Sequence, residues 1–118
     1  MRASDAVGRY GERVAVAHLE QAGMVVLARN WRCPLGELDV VAMDGACLVA
    51  VEVKTRRSLA YGHPIEAVTY AKAARLRRLL GQWLAVHEVR AESVRIDVVG
   101  VLRPPAGPAL VDHRRSVA

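Results

Sequence analysis

The chain has 118 residues with 17 Lys and Arg against 12 acidic residues, a formal charge of +5, and is 53% hydrophobic and 25% charged. That length suits one domain, and the balance of apolar and charged residues excludes a disordered or fibrous chain. No apolar run approaches the roughly 20 residues of a membrane span and the first residues lack the apolar core of a signal peptide, so a cytoplasmic protein with no membrane partner is expected.

Ser4 and Asp5 are acceptable helix N-caps, and Val7, Gly11, Val14, Ala15, His18 and Ala22 recur at helical spacing until Gly23 supplies a stop. This predicts an amphipathic helix over residues 5–22. Gly8, Gly11 and Ala15 form a small-residue stripe on it. Glycine inside a helix costs about 1 kcal/mol relative to alanine, so a close approach or a site is expected there. Residues 24–30 read as a strand and 32–36 as a turn. Residues 37–43 and 47–55 read as two strands joined by the hairpin signal Asp44-Gly45. Residues 56–64 read as a loop. Val68, Leu76, Leu79, Leu80, Trp83 and Val86 define a second helix over 65–87, with Trp83 in the core. Residues 94–102 form a further strand, closed by Pro104-Pro105, and residues 109–111 suggest a short edge strand before a flexible basic tail.

The order α-β-β-β-α-β predicts an α/β sandwich with a mixed central β-sheet flanked by helices. One domain is expected over residues 1–103, with a C-terminal extension over 104–118. Gly-rich phosphate loops, GxSxG and HExxH are absent. Cys33 and Cys47 form no CxxC motif and adjoin no histidine pair, which excludes a zinc ribbon and predicts free thiols. The positive charge favours a polyanionic partner.

Four ionisable residues interrupt the two apolar hairpin strands. With Asp44-Gly45 as the turn, Glu37 faces Glu52 and Asp39 faces Ala50, and Glu37, Asp39, Glu52 and Lys54 share one face far from the turn. Opposed carboxylates destabilise a bare sheet. A divalent cation reverses that sign, and Mg²⁺ (or Mn²⁺) takes one or two carboxylates plus water and phosphate oxygens. A lysine beside it can orient or deprotonate a water, or stabilise charge on a phosphate. The plainer reading is a solvated face with an exposed ion pair. Against it, Val41, Met43, Leu48 and Ala50 on that same face are apolar. Glu12 borders the buried face of the first helix and would join Asp39 and Glu52 if that helix packs on the charged face; favourable placement in the helix dipole is its plainer role.

Asp39 followed by Glu52-Val53-Lys54 resembles the Asp…(Asp/Glu)-x-Lys signature of restriction-endonuclease-like nucleases. Gly11-Glu12, Asn30-Trp31-Arg32, the run from Gly36 to Ala42, that from Val51 to Arg56, and Arg95-Ile96-Asp97-Val98-Val99 widen the resemblance. Together, to about residue 102, they are similar to the YraN-type bacterial proteins, small predicted endonucleases, and in architecture to archaeal Holliday-junction resolvases. The resemblance implies a restriction-endonuclease-like sandwich, metal ligation by Asp39 and Glu52, Glu12 as a further acidic member of the catalytic set, and Lys54 as its lysine. The function so implied is Mg²⁺-dependent hydrolysis of phosphodiester bonds in DNA. Branched or damaged DNA is the expected substrate, because a small lone domain has little surface for reading a long site. The alternative is a nucleic-acid-binding module of the same fold without turnover.

Around this set, Glu37 and Lys72 are expected beside the site, Lys72 lying one turn before Leu76 on the core side of its helix. Arg9, Arg56 and Arg57, and Arg75 with Arg78 on another helix face, are expected to contact phosphates. Tyr10, Trp31 or Tyr61 could stack on an unpaired base. Asp97 reads as a paired structural carboxylate, and His18, His63, His87 and His113 have no metal-ligand spacing. A coordinated second cut requires a weak or DNA-induced homodimer, with apolar area from residues 24–27 and from Trp83 and Leu84.

Overall fold

The computed structural model describes residues 3–57 and 68–117. Along the chain run α1 (Ala3–Gln21), β1 (Val25–Cys33), β2 (Gly36–Asp44), β3 (Cys47–Arg56), α2 (Tyr70–Val86), β4 (Ser93–Leu102) and β5 (Leu110–Arg114). The strands make one five-stranded sheet in the order β1-β2-β3-β4-β5. This is the expected α/β class with β5 completing the order, and it is compatible with a restriction-endonuclease-like fold. β3 and β4 are parallel and the other pairs antiparallel. A parallel pair needs a crossover, and α2 supplies it.

The two helices cover opposite faces. Ala15 and Leu19 of α1 pack with Val40, Ala42, Val49, Val51, Val99 and Val101. Leu76, Leu79, Leu80 and Trp83 of α2 pack with Leu38, Val41, Leu48, Ala50 and Ile96. Strands buried on both faces read as near-continuous apolar runs, which is why β3 and β4 stand out in the sequence. Among the described residues no helix is long and apolar enough to cross a membrane, and both cysteines are free thiols.

The small-residue stripe divides. A Cβ on Gly11 would stand 1.8 Å from Thr55 Oγ1, so α1 lies against β3 only because that residue has no side chain. A Cβ on Gly8 would meet nothing within 4 Å. α1 begins at Ala3, which places Ser4 and Asp5 within the helix and not ahead of it. α2 begins at Tyr70, with Thr69 as N-cap accepting from Lys72 N at 3.1 Å; the expected start at residue 65 lies outside the described residues.

The hairpin register also differs. Asp44 pairs with Cys47 and Val41 with Ala50, so the loop is Gly45-Ala46, one residue later than expected. Gly45 takes φ +59 and supplies the positive φ that such a turn asks of its first loop residue. Moving the turn by one residue leaves the parity of facing residues unchanged and sets Asp39, and not Glu37, level with Glu52. Because Leu38 packs on the α2 side, Glu37 leaves the face expected to carry it with Glu52 and Lys54.

β5 pairs along β4 from Leu102↔Leu110 to Val98↔Arg114, so the short edge strand expected at 109–111 runs on through Asp112, His113 and Arg114, residues expected in the flexible tail. Asp97, fully buried, holds it there by accepting from Arg95 Nε and His113 Nε2, both at 2.9 Å, and from Ser116 N at 3.1 Å. Burial opposes its ionisation, but the bonds from His113, Arg95 and Ser116 keep its carboxyl below the usual range. Arg95 reaches on to Asp44 at 2.8 Å. His18 Nε2 lies 3.1 Å from His113 Nδ1, which ties α1 to the same cluster. The structural role expected of Asp97 is thus what the structure contains.

Candidate functional site

The site begins with a break in the pleat of β2. Leu38 packs on the α2 side and Val40 on the α1 side, although residues two apart in a regular strand share a face. Between them Asp39 points toward β3. The β2–β3 ladder ends at Val40↔Val51, and one residue beyond it Asp39 Oδ2 accepts from Val53 N at 2.9 Å. The carboxylate therefore takes the place of a backbone acceptor where the two strands part.

Glu52 and Lys54 continue the alternation of Leu48 and Ala50 and lie on the α2 side. Lys72 Nζ, from the first turn of α2, stands 3.0 Å from Glu52 Oε1, and Lys54 Nζ stands 3.4 Å from the same oxygen. Glu52 is 8% exposed. Glu12 approaches from α1, its Oε2 accepting from Asn30 Nδ2 at 2.9 Å. The expectation that α1 packs on the face carrying Glu52 is corrected: the two belong to opposite faces. Both nevertheless act on Asp39, one residue beyond Val40, where the hairpin opens. Val7, Gly8, Glu12, Asp39, Lys54 and Thr55 line the resulting cleft, with a volume of about 640 Å³, and Arg56 and Arg57 form its rim.

Burial, then the charge of Glu52, push the Asp39 carboxyl up to about 7; the Val53 bond opposes the rise, and Glu12 and Glu37 add to it. Burial and the Lys72 ammonium hold Lys54 below the ordinary lysine range despite Glu52. Lys72 is itself desolvated, yet its contacts with Lys54 and Glu52 raise it. Of the two, Lys54 is thus the readier to give up a proton.

Other expected residues divide between cleft and periphery. Glu37 pairs with Arg32 Nε at 3.2 Å and does not face Glu52, because the register is displaced by the later turn. Arg9, Arg75 and Arg78 are exposed on their helices and are not among the described residues lining the cleft. Arg103 covers one face of Tyr10, 4.8 Å from the ring centroid. Trp31 packs on the α2 side with its ring edge-on to His87, and Tyr61 and His63 lie outside the described residues. Trp83 is core, stacked on His87 at 4.1 Å. Met24 is buried too, in the core on the α1 side, which removes both from the expected dimer surface and leaves Val25 at 60% and Leu27 at 39% exposure. Sequence reasoning missed Asn30 beside Glu12 and the His18–His113 contact, since no local pattern joins residues that meet only through the sheet.

Among the described residues no group of three or more His, Cys, Asp or Glu is placed to hold one ion. Asp39 and Glu52 nevertheless fit a hard divalent cation, which asks for one or two carboxylates and fills its remaining positions with water and phosphate oxygens. Burial is the largest cause of the raised Asp39 value, and the repulsion from Glu52, Glu12 and Glu37 that adds to it is what such a charge would relieve.

A model of the family described as "Uncharacterised protein family UPF0102" matches residues 11–101. That family is the one to which the YraN-type proteins belong. A UPF0102 protein of Beutenbergia cavernae is 65% identical over 117 residues, 99% of each chain. Another, from Kineococcus radiotolerans, is 61% identical over 119 residues, 100% of this chain and 98% of the relative. A third, from Arthrobacter sp. strain FB24, is 56% identical over 99% of each chain.

Proposed function

The chain belongs to the UPF0102 family, and we propose that it is a metal-dependent endonuclease hydrolysing phosphodiester bonds in DNA, with Mg²⁺ or Mn²⁺ as cofactor. The observation that carries this reading is Asp39: a carboxylate fixed by Val53 N at 2.9 Å, crowded by Glu52 and Glu12, and opening on the same cleft as Lys54. A module that only bound nucleic acid would be weakened by that negative charge beside phosphate.

Asp39 and Glu52 are the residues that would hold the cation. Once bound, it supplies polarisation of the scissile phosphate and a more acidic water. Lys54, whose ammonium burial and Lys72 make easier to deprotonate, orients the attacking water and accepts its proton. Lys72 balances Glu52 at 3.0 Å, so that oxygen is not left as an unpaired buried charge. Glu12 adds its carboxylate from α1. Arg56 and Arg57 at the rim hold the flanking phosphates, which fixes position without reading sequence. Branched or damaged DNA remains the substrate we favour, for want of surface to read a long site.

The test is nicking of plasmid, single-stranded, flapped and four-way DNA across a Mg²⁺ and Mn²⁺ titration. Metal-dependent cleavage that disappears in Asp39→Asn is the expected result. Binding without cleavage of any substrate at any metal concentration would replace the enzyme by a binding module.

A further inference from the structure

The end of β4 carries an arginine to which the reading above gives no part. β3 and β4 run parallel, and their ladder reaches Arg56↔Leu102. One residue on, Arg103 N donates to Arg56 O at 2.8 Å, so the two segments leave the sheet side by side. Val99 and Val101 of β4 pack on the α1 side, as do Val51 and Val53 of β3. Alternation carries Arg103 and Arg57 to that side as well. Arg57 accordingly reaches the cleft that Val7 and Gly8 of α1 line, and Arg103 meets Tyr10 of α1.

A second hollow, of about 390 Å³, opens there and is lined by Arg57, Arg103, Pro104 and Pro105. Arg57 lines both this hollow and the cleft. The Arg103 guanidinium lies 4.8 Å from the centroid of the Tyr10 ring, within cation–π range. That contact restrains a side chain that is otherwise costly to immobilise. Stacking uses the flat face of the guanidinium and leaves the N–H fork at its edge for a ligand. The two prolines fix the backbone of the wall beside it. Among the described residues, neither Arg57 nor Arg103 is paired with a carboxylate, and no acidic side chain lines the hollow. The cleft, by contrast, contains Glu12 and Asp39. A phosphate is therefore attracted to the hollow without any metal ion, whereas in the cleft the carboxylates oppose it until a cation binds.

We infer that Arg57 and Arg103 form a second phosphate site beside the cleft, which holds the sugar-phosphate backbone of the nucleic acid next to the bond that is cut. Tyr10 is a positioning residue for Arg103, and its covered ring face is not a platform for a base. The inference rests on the nucleic-acid reading above and deepens it, since it sets the side of the cleft along which the bound strand continues.

Fluorescence anisotropy of the full chain with a labelled DNA duplex, titrated with salt in chelator, tests it. Arg103→Ala should reduce the slope of log affinity against log salt by about 0.9, the release expected for one phosphate contact. Tyr10→Leu should keep that slope and weaken binding by about two- to fivefold, the worth of the stacking contact. Combined with Arg103→Ala, it should bind no worse than Arg103→Ala alone. Arg75, exposed on α2 and lining neither cavity among the described residues, is the control, and Arg75→Ala should leave the slope unchanged. A wild-type slope in Arg103→Ala, or an equal fall in Arg75→Ala, would overturn the inference while metal-dependent cleavage by the wild type still upheld the nuclease reading. A wild-type chain that binds no DNA in chelator or in Mg²⁺ would instead remove the nucleic-acid reading and the inference with it. Should Arg103→Ala fail to fold, the Arg103 Nε–H resonance of the wild-type chain should move on adding the duplex, and an unmoved resonance refutes the site.

Discussion

Replacing Asp39 by asparagine removes a charge and keeps a shape. The amide oxygen can still accept from Val53 N, which stands 2.9 Å from Asp39 Oδ2, so the junction of β2 and β3 should survive. What is lost is an ionisation that burial and the charges of Glu52, Glu12 and Glu37 oppose, and that places the carboxyl at about 7 against 3.8. Because the folded value lies above the unfolded one, the neutral form favours the fold. That contribution is complete below 3.8 and is lost as pH climbs through about 7. At about 1.4 kcal/mol per pKa unit, ionised Asp39 weakens the fold by a ceiling of about 4 kcal/mol. Asparagine is neutral throughout, so Asp39→Asn should match the wild type near pH 4 and exceed it at pH 8, by about 10 °C or more in Tm at that ceiling. Thermal melts by circular dichroism across this range, in chelator and then in Mg²⁺, measure both halves of the expectation. Mg²⁺ should raise the wild-type Tm at pH 8 by binding the folded state, and should leave the variant unmoved. A variant less stable than the wild type at pH 8 in chelator, or one that still responds to Mg²⁺, refutes the reasoning.

Lys54→Ala should keep the Mg²⁺-induced rise in Tm and lose cleavage; unchanged cleavage would take Lys54 out of the mechanism. Arg56→Ala and Arg57→Ala should each weaken binding similarly across DNA sequences and reduce the slope of log affinity against log salt by about 0.9, the release expected for one phosphate contact. A sequence-selective loss would mean that the rim reads bases. Gly11→Ala should cost about 1–3 kcal/mol through overpacking against Thr55, 1.8 Å from the new Cβ, whereas Gly8→Ala, which meets nothing, should be neutral or mildly stabilising in chemical denaturation. Light scattering with a four-way junction should show a DNA-induced dimer, for which exposed Val25 and Leu27 on the sheet edge offer apolar surface; a strictly monomeric complex making paired symmetric cuts would refute it.

The elements and the acid–lysine spacing were legible in the sequence because both follow from local periodicity. The β3 run alternates between two buried faces, and Glu52 and Lys54 share one of them whichever residue opens the hairpin. Near-continuous apolar runs, a glycine in the turn and helical spacing suffice for that. Only tertiary structure decided the rest, for three physical reasons. Turn geometry chose Gly45-Ala46 over Asp44-Gly45, and one residue there exchanged Glu37 for Asp39 opposite Glu52. The break in pleat at Asp39 and the positive φ at Asn30 violate the rule on which sequence reading depends, so periodicity could not announce them. Charge acts through space: Lys72 reaches Glu52 from α2, Glu12 meets Asn30 from α1, and His18 meets His113 across 95 residues of chain. The ionisation of Asp39 is the sum of such approaches and of burial, and neither exists until the sheet is formed.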